Sequence, residues 1–340
     1  MSPEQAEALR GWLAAQVGIS GTRVTGELGG GNANVTLRLA SDDGALVLRT
    51  PPENAVSAKA HRGIEREGRV LRALSGRARV PGFVAWCEDP AILGRPFLLV
   101  RHVDGVSITD TLPAAYPDTV DTVNRLGEDL VDELALVHNL PWASLGLDGF
   151  GRPEGFLERQ VTRWREVRRS DQVRELPALE ALADWLLAEK PADHPGALTH
   201  GDYHLDNTLS LPDRPGLAAI IDWELATIGD PLSDLALLLM FWGDQRRAEP
   251  PGFPQIQQVS RRPGVHSRRE LAERWSRQTG IALDRLDYYL CFAFWRLAAI
   301  VEGAYVLYRR GKVDTAYARG IERDVPALLA EAAAAAKGDW

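Results

Sequence analysis

Three observations predict an α+β fold in two parts. Short β-like runs crowd roughly the first hundred residues, amphipathic helical periodicity dominates the remainder, and Asp104-Gly105 breaks the chain between them. The expected division is 1–104, a β-rich N-lobe, and 105–340, a mostly helical C-lobe. With 340 residues the chain can bury two cores.

The elements follow in order. Ser2, Pro3 and Gln5 form a capping-box start for a helix whose face runs Ala6, Leu9, Leu13, Val17, with Gly18 as its stop. Thr22–Leu28 is β-like and leads into the glycine loop Gly29-Gly30-Gly31-Asn32-Ala33-Asn34. Val35–Ala40 alternates, Asp43-Gly44 signals a hairpin, and Ala45–Thr50 returns before Pro51-Pro52. A helical pattern from about Ala55 to Leu74 places Ile64, Leu71 and Leu74 on one face. Apolar runs around Val84 and over Phe97–Val103 complete an expected five-stranded sheet plus helix.

Beyond Gly105 the spacing predicts helices over Val120–Leu140 and about Leu176–Glu189, a strand-rich island between Ala197 and Asp222, and long helices thereafter. Gln245–Arg269 reads as a loop, with Pro250, Pro251, Pro254 and paired arginines. The Ala-rich run near Ala332–Ala336 reads as a final surface helix that frays.

The net charge of −8 argues against a nucleic-acid surface, which needs a basic stripe. Cys87 and Cys291 make no disulfide framework or zinc spacing. No charged-then-apolar leader is evident. The longest apolar stretch, Tyr288 to Leu307, carries Arg296 and Glu302, so no membrane span is expected and a cytoplasmic location is.

The chemistry-bearing segment is Leu198-Thr199-His200-Gly201-Asp202-Tyr203-His204-Leu205-Asp206-Asn207, followed by the apolar strand Ala218–Ile221 that delivers Asp222-Trp223-Glu224. Phosphoryl transfer needs hard oxygen ligands for Mg²⁺, a cation on the phosphates, and a carboxylate to orient the attacking hydroxyl. Asn207 and Asp222 suit the metal, and Asp202 can accept the hydroxyl proton. The Asp202-to-Asn207 offset is that of the protein-kinase catalytic loop.

His200-Gly201-Asp202-x-His204-x-x-Asn207 with Ile221-Asp222-Trp223-Glu224, and then Gly229-Asp230-Pro231-x-x-Asp234-Leu235-Ala236, resembles the aminoglycoside phosphotransferase/choline kinase family. The likeness is greatest to the subgroup similar to the kinase-like domain fused to some acyl-CoA dehydrogenases. The resemblance implies a protein-kinase-like two-lobed fold and Mg²⁺-dependent transfer of the γ-phosphate of ATP or GTP to a small-molecule hydroxyl. The acceptor would be a hydroxyacyl-CoA, another metabolite or an antibiotic. A nucleotide-binding pseudokinase scaffold and a protein kinase are the alternatives; a monomer or homodimer without nucleic-acid or membrane partners is expected.

Donor-binding residues follow from the same likeness: Gly29, Gly30, Gly31, Asn32 and Asn34 at the phosphates, and Val100-Arg101-His102-Val103 beside the base. The third strand offers Arg49 where the wider family has lysine, a departure because arginine grips phosphates bidentately. Its partner should be Glu67, which shares the inward helix face with Ile64 and Leu71, because a buried lone carboxylate is costly. His200 and His204 are expected to order the loop, and Asp234 to support it from below. Asp230 reads as a helix cap before Pro231, and His138 as structural. Glu224 is read either as a metal helper or as a polar strand exit. Tyr288, Tyr289, Phe292, Phe294 and Trp295 are assigned to core packing ahead of a substrate pocket. Arg246, Arg247, Arg261, Arg262, Arg268 and Arg269 form either a solvated face or a patch for an anionic acceptor.

Overall fold

The structure, a computed structural model, describes residues 1–29, 34–52, 58–243 and 256–340, with side chains in the second helix from residue 61. Gly30, Gly31, Asn32, Arg246, Arg247 and the three loop prolines lie outside the described residues. The chain divides into two compact units, Met1–Gly105 with Trp142–Leu147 and Ala218–Ala226, and Val106–Pro141 with Asp148–Leu217 and Thr227–Trp340.

In the first unit, α1 (Pro3–Trp12) opens with the expected capping box: Gln5 N–H donates to Ser2 Oγ, and Ser2 N–H to Gln5 Oε1. A π-helical turn then runs to Val17, closed by Gly18 in the left-handed region. Strands β1 (Arg23–Glu27), β2 (Val35–Ala40), β3 (Leu46–Thr50), β4 (Phe83–Cys87) and β5 (Phe97–Arg101) form an antiparallel sheet in the order β1-β2-β3-β5-β4. The period of two in β3 buries Leu46, Leu48 and Thr50 and turns Val47 and Arg49 to the other face. Leu46 and Leu48 share a core with Leu9, Leu13, Leu39, Phe97 and Leu99, extended by the one-turn helix α3 (Pro90–Leu93). The Trp12 ring meets Phe97 edge-on at 5.2 Å. Helix α2 (Ala58–Leu74) buries Ile64, Glu67, Val70, Leu71 and Leu74. After β8 (Leu217–Ile220), the residue 218–226 segment is tied in by Ile220 N–H to Arg79 O at 2.7 Å. It is also held by Arg66, whose Nη2 and Nε donate to Ala226 O at 2.6 and 3.1 Å.

The second unit is mainly helical: α4 (Val120–Asn139), α5 (Phe156–Ser170), α6 (Pro177–Ala188), α7 (Pro231–Phe241), α8 (Arg268–Thr279), α9 (Leu286–Arg309) and α10 (Ala316–Ala335). Short strands β6 (Ala197–Thr199) and β9 (Thr227–Gly229) pair antiparallel, and β7 (Thr208–Ser210) bridges to Val106. Every residue of α7 is buried, and Asp230 caps it by accepting Leu232 N–H at 3.0 Å with Pro231 in the first turn. At Gly127 of α4 a Cβ would fall 2.6 Å from the Trp242 ring, so only glycine permits this approach.

Three expectations need correction. Helix α5 was not anticipated, because its inward face is only Phe156, Leu157 and Val161 and arginines cover the rest. The Ala-rich tail is no surface helix: Ala332, Ala334 and Ala335 are buried in α10, which packs along α9. Small side chains let two helices approach closely. Helix α9 is, by length and composition, apolar enough to cross a membrane, with a mean hydropathy of 1.6. Most of it is buried among the helices of this unit, and the two charges in its interior, Arg296 and Glu302, have internal partners. Arg296 donates to Gly201 O at 3.0 Å, and Glu302 accepts from Arg174 Nε at 2.9 Å. Arg174 also answers a gap in α10, where Pro326 cannot donate to the Glu322 carbonyl. Arg174 Nη1 donates to that oxygen at 2.8 Å.

Candidate active site

In the first unit, the geometry grows from β3. The pleat turns Arg49 toward α2, whose helical period turns Glu67 inward. Arg49 Nη1 donates to Glu67 Oε1 at 2.7 Å, and Nη2 to Asp222 Oδ1 at 2.8 Å. One guanidinium thereby fixes two carboxylates in a planar fork, which a lysine could not do in the same way. Burial works against the Arg49 charge, but Glu67 and Asp222 outweigh it and raise its pKa. Burial pushes Glu67 up to about 7, helped by Asp222 and Glu224 and opposed by Arg49.

Asp222 follows β8 in the left-handed region, with φ 66° and ψ 53°. Trp223 plugs the core behind it and donates Nε1–H to Ile220 O at 3.1 Å. Asn34, at the end of the glycine loop, donates to Glu224 Oε2 at 2.9 Å, so Glu224 ties that loop to the strand exit. Gly29 is exposed. In the Val100–Val103 stretch, Arg101 N–H is spent on Gly82 O at 2.8 Å and His102 N–H on Ala45 O at 3.0 Å. Those two donors are taken up by backbone partners within the first unit.

In the second unit, β6 ends at Thr199 and the loop His200–Asn207 begins. Asp234, from the buried helix α7, accepts His200 N–H on Oδ2 and Gly201 N–H on Oδ1, the latter at 2.9 Å. Arg296 takes the Gly201 carbonyl from the other side. His200 Nδ1 accepts Asp202 N–H at 3.3 Å. Asn207 Nδ2 donates to both the Asp202 backbone oxygen and its Oδ2, each at 2.9 Å. The Asn207 amide nitrogen is thus turned to Asp202, and it also lies 3.3 Å from His204 Nε2.

His204 lies 3.6 Å from Asp202 Oδ1 and 3.8 Å from Asp206 Oδ1, ion-pair rather than hydrogen-bond distances. Burial opposes its charge, but the two aspartates prevail and raise its pKa to about 9. Burial likewise disfavours the Asp202 carboxylate, yet His204, His200 and Asn207 hold its pKa below the usual range. The Asp202 side chain remains 43% exposed, so an ionised carboxylate faces solvent.

Some participants carry no sequence signal. His138 Nδ1 accepts Trp275 Nε1–H at 3.2 Å, so the other nitrogen carries the hydrogen and points at Asp234 Oδ2, 3.6 Å away. Arg296 is a charge in the middle of a largely apolar helix. Its inward direction is encoded only by its spacing from Phe292. Of the described arginines in the 245–269 stretch, Arg262, Arg268 and Arg269 each have a separate partner. Arg262 pairs with Asp118, Arg269 stacks on Trp340, and Arg268 turns inward to the carbonyls of Met240 and Trp242. Tyr288, Tyr289, Phe292, Phe294 and Trp295 are all buried.

Among the described residues no cluster of three or more His, Cys, Asp or Glu side chains is arranged to hold a metal. Arg49 Nε is buried without a hydrogen-bond partner, a donor that fits an anion-handling site.

Comparison with known proteins agrees with this geometry. The chain is 34% identical over 290 residues to human acyl-CoA dehydrogenase family member 11, covering 83% of this chain and 36% of that protein. It is 31% identical over 314 residues to mouse acyl-CoA dehydrogenase family member 10, covering 89% and 28%. It spans about a third of the length of these relatives. A crystal structure of a candidate aminoglycoside phosphotransferase from Ralstonia eutropha superposes with a TM-score of 0.82 at 28% identity, over 97% of this chain and 98% of that one. The GDP complex of aminoglycoside 2'-phosphotransferase-IIIa has the same kinase-like fold, with a TM-score of 0.62 at 18% identity over 98% and 99%. The phosphotransferase enzyme family model matches residues 25–288, and the chain belongs to that family.

Proposed function

We propose that this chain transfers the γ-phosphoryl group of ATP or GTP to a hydroxyl of a small molecule, with Mg²⁺ as the metal. The observation that carries the reading is the pairing of Asn207 with Asp202, in which the amide nitrogen faces the backbone and carboxylate oxygens of Asp202, so that Oδ1 would be the atom offered to a cation. Family membership supports the phosphotransferase class. The sequence pattern pairs Asn207 with Asp222 as metal ligands. Bound there, Mg²⁺ would offset phosphate charge and orient the donor. Asp202 orients the acceptor hydroxyl and takes its proton as the new O–P bond forms and the bond to the β-phosphate oxygen breaks. A depressed pKa suits this role, since the transition state is loose and positioning outweighs basicity. Arg49 steadies the donor phosphates, with Glu67 and Asp222 fixing its fork.

For the acceptor we propose a hydroxylated acyl thioester, because the relatives named above carry acyl-CoA dehydrogenase in their names. The test is calorimetric titration of ATP and GTP with and without Mg²⁺, followed by an acceptor panel of hydroxyacyl thioesters, aminoglycosides and macrolides. Mg²⁺-dependent nucleotide binding with phosphorylation of the thioester supports both statements. Phosphorylation of an antibiotic alone overturns the acceptor, and absence of nucleotide binding overturns the kinase reading.

A further inference from the structure

We propose that Gln257 is a positioning residue for phosphoryl transfer, holding the turn that carries Asn207 through the backbone of Leu205 and the side chain of Asp206. The inference rests on the kinase reading above, and the motif itself does not contain this glutamine.

Gln257 lies fifty residues beyond the catalytic loop in sequence, in the connection between α7 and α8, yet its side chain is fully buried. Its Oε1 accepts Leu205 N–H at 2.8 Å, and its Nε2 donates to Leu238 O near the end of α7 at 3.1 Å. Its own N–H donates to Asp206 Oδ1 at 3.2 Å, and its carbonyl accepts Ser260 N–H and Oγ–H at 2.9 and 2.7 Å. Each of its polar groups therefore has a partner, and two of those partners lie in the turn Leu205–Asn207. Ser260 Oγ in turn accepts Gly243 N–H at 2.9 Å, so the clamp is anchored at both ends of the connection.

The backbone adds an independent sign of constraint. Gln257 has φ 51° and ψ 27°, a left-handed conformation that a long side chain rarely adopts. Such a conformation persists where surrounding contacts over-determine it. Here it lets one residue present its amide to Leu205 and its N–H to Asp206. Asp234 holds the start of the loop at His200 and Gly201; Gln257 holds its end.

The experiment uses the full chain with Mg·ATP and Mg·GTP, reading phosphate release to water, together with deuterium exchange at the Leu205 amide. Gln257→Met keeps the volume and removes both side-chain hydrogen bonds. It should lower kcat by about 10- to 100-fold, since small misplacements of reacting groups cost that much. KM for nucleotide should stay within about twofold, and the Leu205 amide should exchange faster. Gln257→Glu keeps the acceptor for Leu205 but loses the donor to Leu238. Its kcat relative to wild type should climb as pH falls and the carboxyl regains its hydrogen, which a purely structural role would not produce. Unchanged exchange at Leu205, or unchanged kcat in Gln257→Met when wild type turns over, overturns the proposal. A wild type that neither binds nor turns over nucleotide overturns the kinase reading instead, and faster exchange in Gln257→Met would then leave a clamp without catalytic meaning.

Discussion

Asn207 Nδ2 donates to Asp202 Oδ2 at 2.9 Å, so the residue read as a metal ligand also sets the orientation of the residue read as the proton acceptor. Asp202→Asn replaces that acceptor with a group able to present an amide to an amide, and it removes the negative charge. We expect kcat to fall by about 10²–10⁴-fold, the usual range for losing a positioned general base. Nucleotide affinity measured by calorimetry should stay within a few-fold of wild type. Comparable turnover would remove Asp202 from the mechanism.

Arg49 grips Glu67 and Asp222 together. Arg49→Met leaves Glu67 buried without its partner, and well above pH 7, where the carboxyl must ionise, the stranded charge is expected to cost about 3–5 kcal/mol in denaturant unfolding. The double variant Arg49→Met/Glu67→Leu should recover most of that stability, because the stranded charge has gone. Neither variant should regain nucleotide binding. Recovery of binding along with stability would show that Arg49 serves the fold alone.

Asp234 accepts two backbone N–H groups, one on each oxygen. Asparagine offers a single acceptor, so Asp234→Asn places an NH₂ against a donor. The expected cost is about 2–3 kcal/mol, as for a hydrogen-bonded charge lost from a buried site. Thermal unfolding of the variant, with exchange at the Gly201 amide, reads the effect directly.

Glu67 gives a pH signature. Its folded pKa of about 7 exceeds the ordinary 4.5, so the folded state holds its proton where the unfolded chain has released it. Stability credited to this group is therefore complete below about pH 4.5 and is lost as pH rises through 7. The span corresponds to about 3 kcal/mol. Relative to Glu67→Gln, wild type should lose that much between pH 4.5 and 7 and nothing further above it. A flat difference in urea unfolding across this range would mean that Arg49 keeps Glu67 ionised throughout.

Much of this geometry was legible from residue order. The pleat of β3 and the period of α2 place Arg49 and Glu67 on facing surfaces, so their pairing follows from two periodicities and the cost of a buried charge. The capping box of α1 and the Asp230-Pro231 start of α7 are equally local. What escaped has a physical reason as well. Helix α5 shows too little apolar face for its period to stand out, and the Ala-rich end of α10 looks weakly hydrophobic until α9 is beside it. Gln257 and Arg296 act through tertiary contacts with residues far along the chain, and no spacing rule marks them. Charge counted along the sequence also does not reveal that Arg268 turns inward.

The left-handed backbone at Asp222 gives that position two separate obligations. One, on the proposed function, is chemical, to present an oxygen to the metal; the other is conformational, to occupy a region most side chains avoid. Aspartate and asparagine tolerate it because a short polar side chain can engage its own backbone. An alanine scan here would therefore mix a change of shape with a change of charge, and its result would be ambiguous. Asparagine separates the two: it keeps the reversal of the chain and neutralises the ligand, so whatever changes can be ascribed to charge. Most single substitutions here would disturb the turn before they altered the chemistry.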